Sequence, residues 1–313
     1  MSDKAEDSKA LAEAILRGET RSLARALTWV ENRDGRAEDL MAELPATAIH
    51  FRLGITGAPG VGKSTLLAAL AARLIEKGEN IAALAVDPTS PVSGGALLGD
   101  RMRLGELERH SNIFFRSIAS RGSGGGLAAC TDEAAELLAH AGYGMVLVET
   151  LGVGQLEIEI VEEADSVLLL VTPESGDVIQ FLKGGVLEVV DHVVVHKADL
   201  PGADKTLRVV EEWARERDKP APLAVSSVSG EGFDALLQVI TEEAARVRAG
   251  VCREKRVQRL QRRLVRRVEG TWLRECWQRA GGTRAAQELA EEMQTSKLRF
   301  TEALARLYQH VFP

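Results

Sequence analysis

From residue 51 onward the chain alternates short apolar runs with amphipathic stretches. The runs fall at 51–56, 81–87, 113–119, 145–150, 166–172, 192–198 and 222–227, and their lengths predict strands. The stretches near 64–77, 127–141, 177–190, 203–217 and 232–248 carry apolar residues at helical spacing. Several runs are apolar without a break, as in Val167-Leu168-Leu169-Leu170-Val171 and Val193-Val194-Val195. Successive side chains of a strand point to opposite faces, so an unbroken run predicts burial on both. That is the condition of a parallel sheet covered by helices. The order predicts an α/β fold: a doubly wound, mostly parallel sheet that presents its ligand site at the carboxyl ends of the strands.

Both ends of the chain lose the strand pattern. Leu11, Ala14 and Ile15 mark a first helix that Arg17-Gly18 closes. Leu23, Ala26, Leu27 and Val30 mark a second, and residues 36–44 a third that Pro45 stops. Past residue 250, Val257, Leu260, Leu264, Val268 and Trp272 recur at helical spacing until Gly281-Gly282. Ala286, Leu289, Met293, Phe300, Leu304, Leu307 and Val311 then predict one last long helix. The expected organisation is a helical extension over 1–48, a nucleotide-binding domain over 49–249 and a helical arm over 250–313. Arg253, Lys255, Arg256, Arg259, Arg262, Arg263, Arg266 and Arg267 crowd the start of the arm. They read as a solvated cationic face beside an apolar seam, with an acidic partner or a dimer contact as the other reading.

Composition narrows the classes. The 313 residues are 45% hydrophobic and 27% charged with a net charge of −7, ordinary for a globular protein and unlike a uniformly basic nucleic-acid binder. Aromatic residues are only 4%, so platforms for stacking single-stranded bases are scarce. Cys130, Cys252 and Cys276 lie far apart and lack metal-binding spacing, which fits reduced thiols. The polar start and the lack of any run near ~20 apolar residues predict no signal peptide and no spanning helix. The expected location is cytoplasmic.

The first strand–helix junction carries the clearest chemistry. Gly57-Ala58-Pro59-Gly60-Val61-Gly62-Lys63-Ser64-Thr65 is a G-x-x-x-x-G-K-S phosphate-binding loop in the strand–loop–helix setting it needs. Its glycines let the backbone curl so that successive N–H groups face an anion, and the helix N-terminus adds its dipole. Lys63 is placed for the β- and γ-phosphates, Ser64 for Mg²⁺ and Thr65 for the α-phosphate. Such a loop does not separate kinases, ATPases and GTPases.

The sixth run ends in His196-Lys197-Ala198-Asp199, which resembles the N-K-x-D guanine-recognition element with histidine in the asparagine position. A carboxylate such as Asp199 can accept both guanine N1–H and the N2 amine. Adenine offers an acceptor there, and the unpaired edge would reject it. Lys197 can lie along the base. Ser226-Ser227-Val228, ending the seventh run, resembles the loop that backs the base. Asp87 and Glu149 close the second and fourth runs, where a carboxylate serves a phosphate-bound metal. Asp100 lies in a glycine-bearing loop and Gln155 in a segment placed to sense the γ-phosphate.

These motifs together resemble the MeaB/ArgK-type GTPases, the G-protein chaperones of adenosylcobalamin-dependent acyl-CoA mutases such as methylmalonyl-CoA mutase. The resemblance rests on the phosphate loop, Val86-Asp87-Pro88-Thr89-Ser90-Pro91, Leu98-Gly99-Asp100-Arg101, Val148-Glu149-Thr150-Leu151-Gly152-Val153-Gly154-Gln155, Gly176-Asp177 with Gln180 and Lys183, and 196–199. It implies a homodimeric GTPase that binds GTP or GDP with Mg²⁺ and gates cofactor loading into a mutase. It implies that Asp87, Asp100 and Glu149, with Ser64, surround Mg²⁺ and the attacking water. Either Gln155 or Asp87 is expected to orient that water, and the resemblance implies that Lys183 is a cation on a mobile loop. His196 departs from the pattern, as do Val178 and Gly184. A metallochaperone GTPase and a phosphate-loop kinase are the competing functions. The first needs a Cys/His cluster and the second an acceptor pocket.

Overall fold

The structure, a computed structural model, describes residues 2–45, 50–88, 110, 112–120, 126–150, 156–173, 186–295 and 299–309. Three helices open the chain: α1 (Ser2–Leu16), α2 (Thr20–Glu31) and α3 (Gly35–Glu43). Then come β1 (Phe51–Gly57), α4 (Lys63–Glu76), β2 (Ile81–Pro88), β3 (Ile113–Ser120), α5 (Gly126–His140) and β4 (Met145–Thr150). They are followed by α6 (Leu156–Glu163), β5 (Ser166–Val171), α7 (Val186–Val189), β6 (His192–His196), α8 (Ala203–Glu216), β7 (Leu223–Val225) and α9 (Phe233–Arg248). The last three are α10 (Arg253–Arg279), α11 (Gly282–Thr295) and α12 (Phe300–Gln309).

The seven strands form one all-parallel sheet in the order β3-β2-β4-β1-β5-β6-β7. The doubly wound α/β expectation is therefore borne out, and β1 lies at its centre. The unbroken apolar runs do what they predict: odd and even positions feed two separate cores. Leu53, Ile55, Leu147, Leu168 and Leu170 pack with α4 and α9 on one face. Val146, Val148, Val167, Leu169 and Val193 pack with α5, α6 and α8 on the other, and the first three helices join that core through Leu11, Ile15, Leu27 and Leu40. Arg52, Gly54 and Thr56 are the β1 positions on this second face. A Cβ at Gly54 would lie 2.8 Å from the Ile160 side chain of α6, so β1 and α6 meet at a spacing only glycine allows.

Several boundaries differ from the pattern. β6 stops at His196 because Lys197 turns the backbone into the left-handed region at φ +56°. The helix α6 is not among the elements that the pattern predicts: Leu156, Ile158 and Ile160 alternate with glutamates instead of recurring at helical spacing. Of the stretch expected as helix near 177–190, α7 is the described part, and residues 174–185 lie outside the described residues. The last long helix is two elements, α11 and α12, joined through an Arg306–Glu292 pair at 3.0 Å. No described helix is long and apolar enough to cross a membrane.

The chain divides into two compact units, 1–259 and 260–313. The cationic stretch at the start of α10 is not wholly solvated. Arg259 is buried and its Nη1 donates to Asp165 Oδ1 at 2.9 Å and to the Glu163 carbonyl at 3.2 Å. Lys255 reaches Asp191 Oδ1 at 2.6 Å. Asp165 Oδ2 accepts the Arg52 backbone N–H at 2.9 Å, and the Arg52 guanidinium pairs with Asp132 and donates to His50 Nε2 at 2.6 Å. The entry of α10 is thus fastened to the amino ends of β1 and β5, opposite the edge that carries the phosphate loop. Cys130 is buried, and burial pushes its thiol up to about 12, as expected of an inert reduced cysteine.

Candidate functional site

The site begins where β1 ends. Gly57 sits at φ +143°, and a Cβ there would lie 2.5 Å from the Leu170 carbonyl oxygen. Gly60 and Gly62 have φ of +82° and +93°, so the curl predicted from the glycines is built by left-handed backbone. Val61, 2% exposed, plugs the loop into the core, while Pro59, Gly60 and Thr65 stay open to solvent. Lys63 starts α4. Its Nζ donates to the carbonyls of Gly57 at 2.7 Å and Ala58 at 2.9 Å. The ammonium is therefore held over the loop, next to the first amides of α4, which have no acceptor inside the helix. Ammonium, helix amides and curled backbone together make an anion site.

The carboxyl end of β4 supplies the next group. Parallel pairing sets Glu149 beside Ile55 of β1, and Glu149 is 4% exposed. Its Oε1 accepts the Ser64 hydroxyl at 2.6 Å. The neighbouring Thr150 donates its hydroxyl to Thr56 across the same two strands at 3.1 Å. Hydroxyl and carboxylate oxygens side by side at a phosphate loop are the hard donors that Mg²⁺ takes, so the residues present fit that ion. Among the described residues no three His, Cys, Asp or Glu side chains form a metal cluster of their own. The Asp87 backbone lies on β2 opposite Ala119. The Asp87 side chain, Asp100, Gln155 and Lys183 lie outside the described residues.

The residues expected at the base lie past the ends of β6 and β7, with β6 two strands from β1 in the sheet. His196 ends β6 and is 2% exposed. Its Nδ1 is 2.7 Å from the Val61 carbonyl of the phosphate loop and its Nε2 is 2.8 Å from Ser227 Oγ. Burial, then the charge of Lys197, holds the ring's pKa below its usual value, against opposing pulls from the Val61 carbonyl and Asp199. Asp199 Oδ1 accepts the Ser226 hydroxyl at 2.5 Å. Ser226 Oγ in turn accepts the backbone N–H groups of Val228 at 3.2 Å and Ser229 at 3.1 Å. The Ser226 hydroxyl and the Asp199 backbone amide hold that carboxyl below its usual range, so it is ionised at neutral pH. Val228 is 87% exposed at the lip of the loop. Phosphate loop, Glu149, residues 196–199 and residues 226–228 are thus brought to one edge of the sheet, as the motif order requires.

Two features escaped the sequence. The hydroxyl of Ser226 orients Asp199, and His196 connects three loops. Neither has a local signature, because Ser226 lies 27 residues from Asp199, and His196 lies 135 residues from Val61.

Comparisons with known proteins agree with this geometry. Residues 23–280 match the profile of the family described as methylmalonyl-CoA mutase-associated GTPase MeaB. A GTPase-named protein of Pyrococcus abyssi (strain GE5 / Orsay) is 38% identical over 273 residues, 83% of each chain. The methylmalonic aciduria type A homolog, mitochondrial, of Mus musculus is 34% identical over 252 residues, 73% of this chain and 61% of that one. The crystal structure of a LAO/AO transport system kinase superposes with a TM-score of 0.69 at 26% identity, covering 100% of this chain and 99% of the other.

Proposed function

Because the chain belongs to the MeaB family of methylmalonyl-CoA mutase-associated GTPases, we propose that this GTPase is the chaperone of an adenosylcobalamin-dependent acyl-CoA mutase. In this role its nucleotide state gates cofactor loading and protects or reactivates the mutase. The observation that carries the reading is the family match across residues 23–280, which runs through every part of the site and into both flanking helical segments.

Hydrolysis is an in-line attack of water on the γ-phosphate. The loop from Gly57 to Thr65 holds the phosphates by its amides, and the Lys63 ammonium offsets the charge that builds in the transition state. Ser64 and Glu149, with Asp87 and Asp100, would hold Mg²⁺, which would supply positive charge to offset that of the phosphates. Gln155 or Asp87 orients the water, and Lys183 supplies a further cation. Asp199 pairs with guanine, with Lys197 along the base and Ser226, Ser227 and Val228 behind it. The arm over 250–313 pairs two chains into a homodimer.

The test is a pull-down of candidate cobalamin-dependent mutases followed by a GTPase assay with each. A client should bind in one nucleotide state better than the other and raise the hydrolysis rate by about tenfold or more. The Lys63→Ala chain should lose hydrolysis by about a hundredfold or more with and without the client. If no mutase binds and none stimulates, the chaperone role is wrong and the GTPase stands alone.

A further inference from the structure

Histidine stands where guanine-binding chains of this pattern carry asparagine, and the structure gives that ring a full set of contacts. We propose that His196, as a neutral ring carrying its proton on Nδ1, is the positioning residue that ties the phosphate loop to the base-side loop and thereby sets how long a guanine nucleotide stays bound. The inference rests on the guanine-nucleotide reading of the site.

The tautomer follows from the partners. The Val61 carbonyl can only accept, so the Nδ1 atom 2.7 Å from it must carry the hydrogen. In a neutral ring Nε2 then holds a lone pair and accepts the Ser227 hydroxyl at 2.8 Å. Burial disfavours a second proton. Among the described residues, the charged groups acting on the ring are Lys197 and Asp199 of its own loop. The phosphate loop faces it with the Val61 carbonyl and the Gly62 backbone, and the base-side loop with a hydroxyl.

Shape adds to the bonding. A Cβ at Gly62 would lie 2.6 Å from His196 Cε1 and 2.8 Å from Nδ1. The ring therefore rests against the phosphate-loop backbone in space that only glycine leaves open. Beyond the ring the connection continues. Ser227 is followed back along the chain by Ser226, whose hydroxyl holds Asp199. Val61, His196, Ser227, Ser226 and Asp199 thus form one unbroken run from the phosphate side to the base side. The groups that grip the two ends of a nucleotide are held in register through a single imidazole. Replacing that ring by alanine strands a buried carbonyl and a hydroxyl and leaves a void beside Gly62.

Release of a fluorescent GDP, followed by stopped flow, reads the tie directly. His196→Ala should release it at least about tenfold faster, whereas His196→Asn, which keeps one donor and one acceptor, should stay within about threefold of the parent. Ser227→Ala should fall between them, and the double variant His196→Ala/Ser227→Ala should be no worse than His196→Ala alone, because both break one connection. Nitrogen NMR of histidine-labelled protein should show the His196 ring, assigned by its loss in His196→Asn, as the Nδ1–H form. Unchanged release from His196→Ala, additive effects in the double variant, or a proton on Nε2 would each overturn the proposal. Should His196→Ala not fold by circular dichroism, Ser227→Ala release and the ring tautomer decide it alone. A parent chain that binds no guanine nucleotide fails the earlier reading instead, and Asp199→Asn tests the base contact separately.

Discussion

At the scale of single residues, the proposed base selection rests on one oriented carboxylate. Asp199 is solvent-accessible, yet Ser226 fixes one of its oxygens and two backbone amides fix Ser226. Asp199→Asn replaces an acceptor by an amide that meets the guanine N1–H with its own donor. We expect the preference for GTP over xanthosine triphosphate to collapse by on the order of a hundredfold or more, read from competition binding. Retained preference for GTP would remove the guanine argument. Acid sensitivity is also a residue-scale property. Burial is the largest cause holding His140, His192 and His196 below the ordinary value of 6.5. The unfolded chain then binds more protons than the folded one below that value. The contribution of these neutral rings is fully present above about pH 6.5 and is lost as the pH falls through their lowered folded values. Urea midpoints should therefore be lower at about pH 5.5 than at about pH 7.5, and the difference should shrink in His192→Gln. An equal difference in that variant would show that His192 contributes none of it.

At the scale of elements, the amino edge of the sheet is held by charges the apolar pattern did not foretell. Asp165 is completely buried, takes Arg259 on one oxygen and the Arg52 amide on the other, and starts the turn into β5. Asp165→Ala leaves the buried Arg259 guanidinium without its carboxylate and should destabilise unit 1–259 by about 3–5 kcal/mol in denaturant titration. A loss below about 1 kcal/mol would mean that water replaces the carboxylate and that the network is not a structural joint. This edge also marks the limit of sequence reading. Strands and helices were legible because their periods are local, and unbroken runs such as 166–171 announced a two-faced core. The phosphate loop was legible because its chemistry is contiguous, and the position of Asp199 because it follows a buried strand by three residues. Arg52 with Asp132, Arg259 with Asp165, and His196 with Val61 were not, because each pair joins residues 80 or more positions apart. Only the folded chain makes them neighbours. The close approach of α6 to β1 is likewise absent from the pattern, because it needs Gly54 and Ile160 to meet across 106 positions of chain.

At the scale of the whole molecule, the arm carries apolar surface that its own unit leaves uncovered. Leu264 and Val268 of α10 are each 68% exposed, and Trp272 and Leu273 are 56% and 61% exposed. Leu260, Leu264, Val268 and Trp272 recur at helical spacing along a 27-residue helix, so they form one stripe rather than scattered exposed residues. The proposed homodimer covers such a stripe, because a symmetric interface sets the same patch of two chains against each other. Leu264→Glu/Val268→Glu puts two like charges from each chain into that contact. Light scattering should report a dimer for the parent and a monomer for the variant at micromolar concentration. Basal GTP hydrolysis should be unchanged, because the stripe lies in unit 260–313 and the nucleotide residues lie in unit 1–259. A parent that is already monomeric, or a variant that still pairs, would mean that α10 does not form the homodimer contact. If the variant is monomeric and keeps its basal rate, the mutase assay gains a further reading. Stimulation by the client that survives in the monomer belongs to one nucleotide site acting alone. Stimulation that is lost requires the paired arms, and the dimer is then part of how the client is recognised.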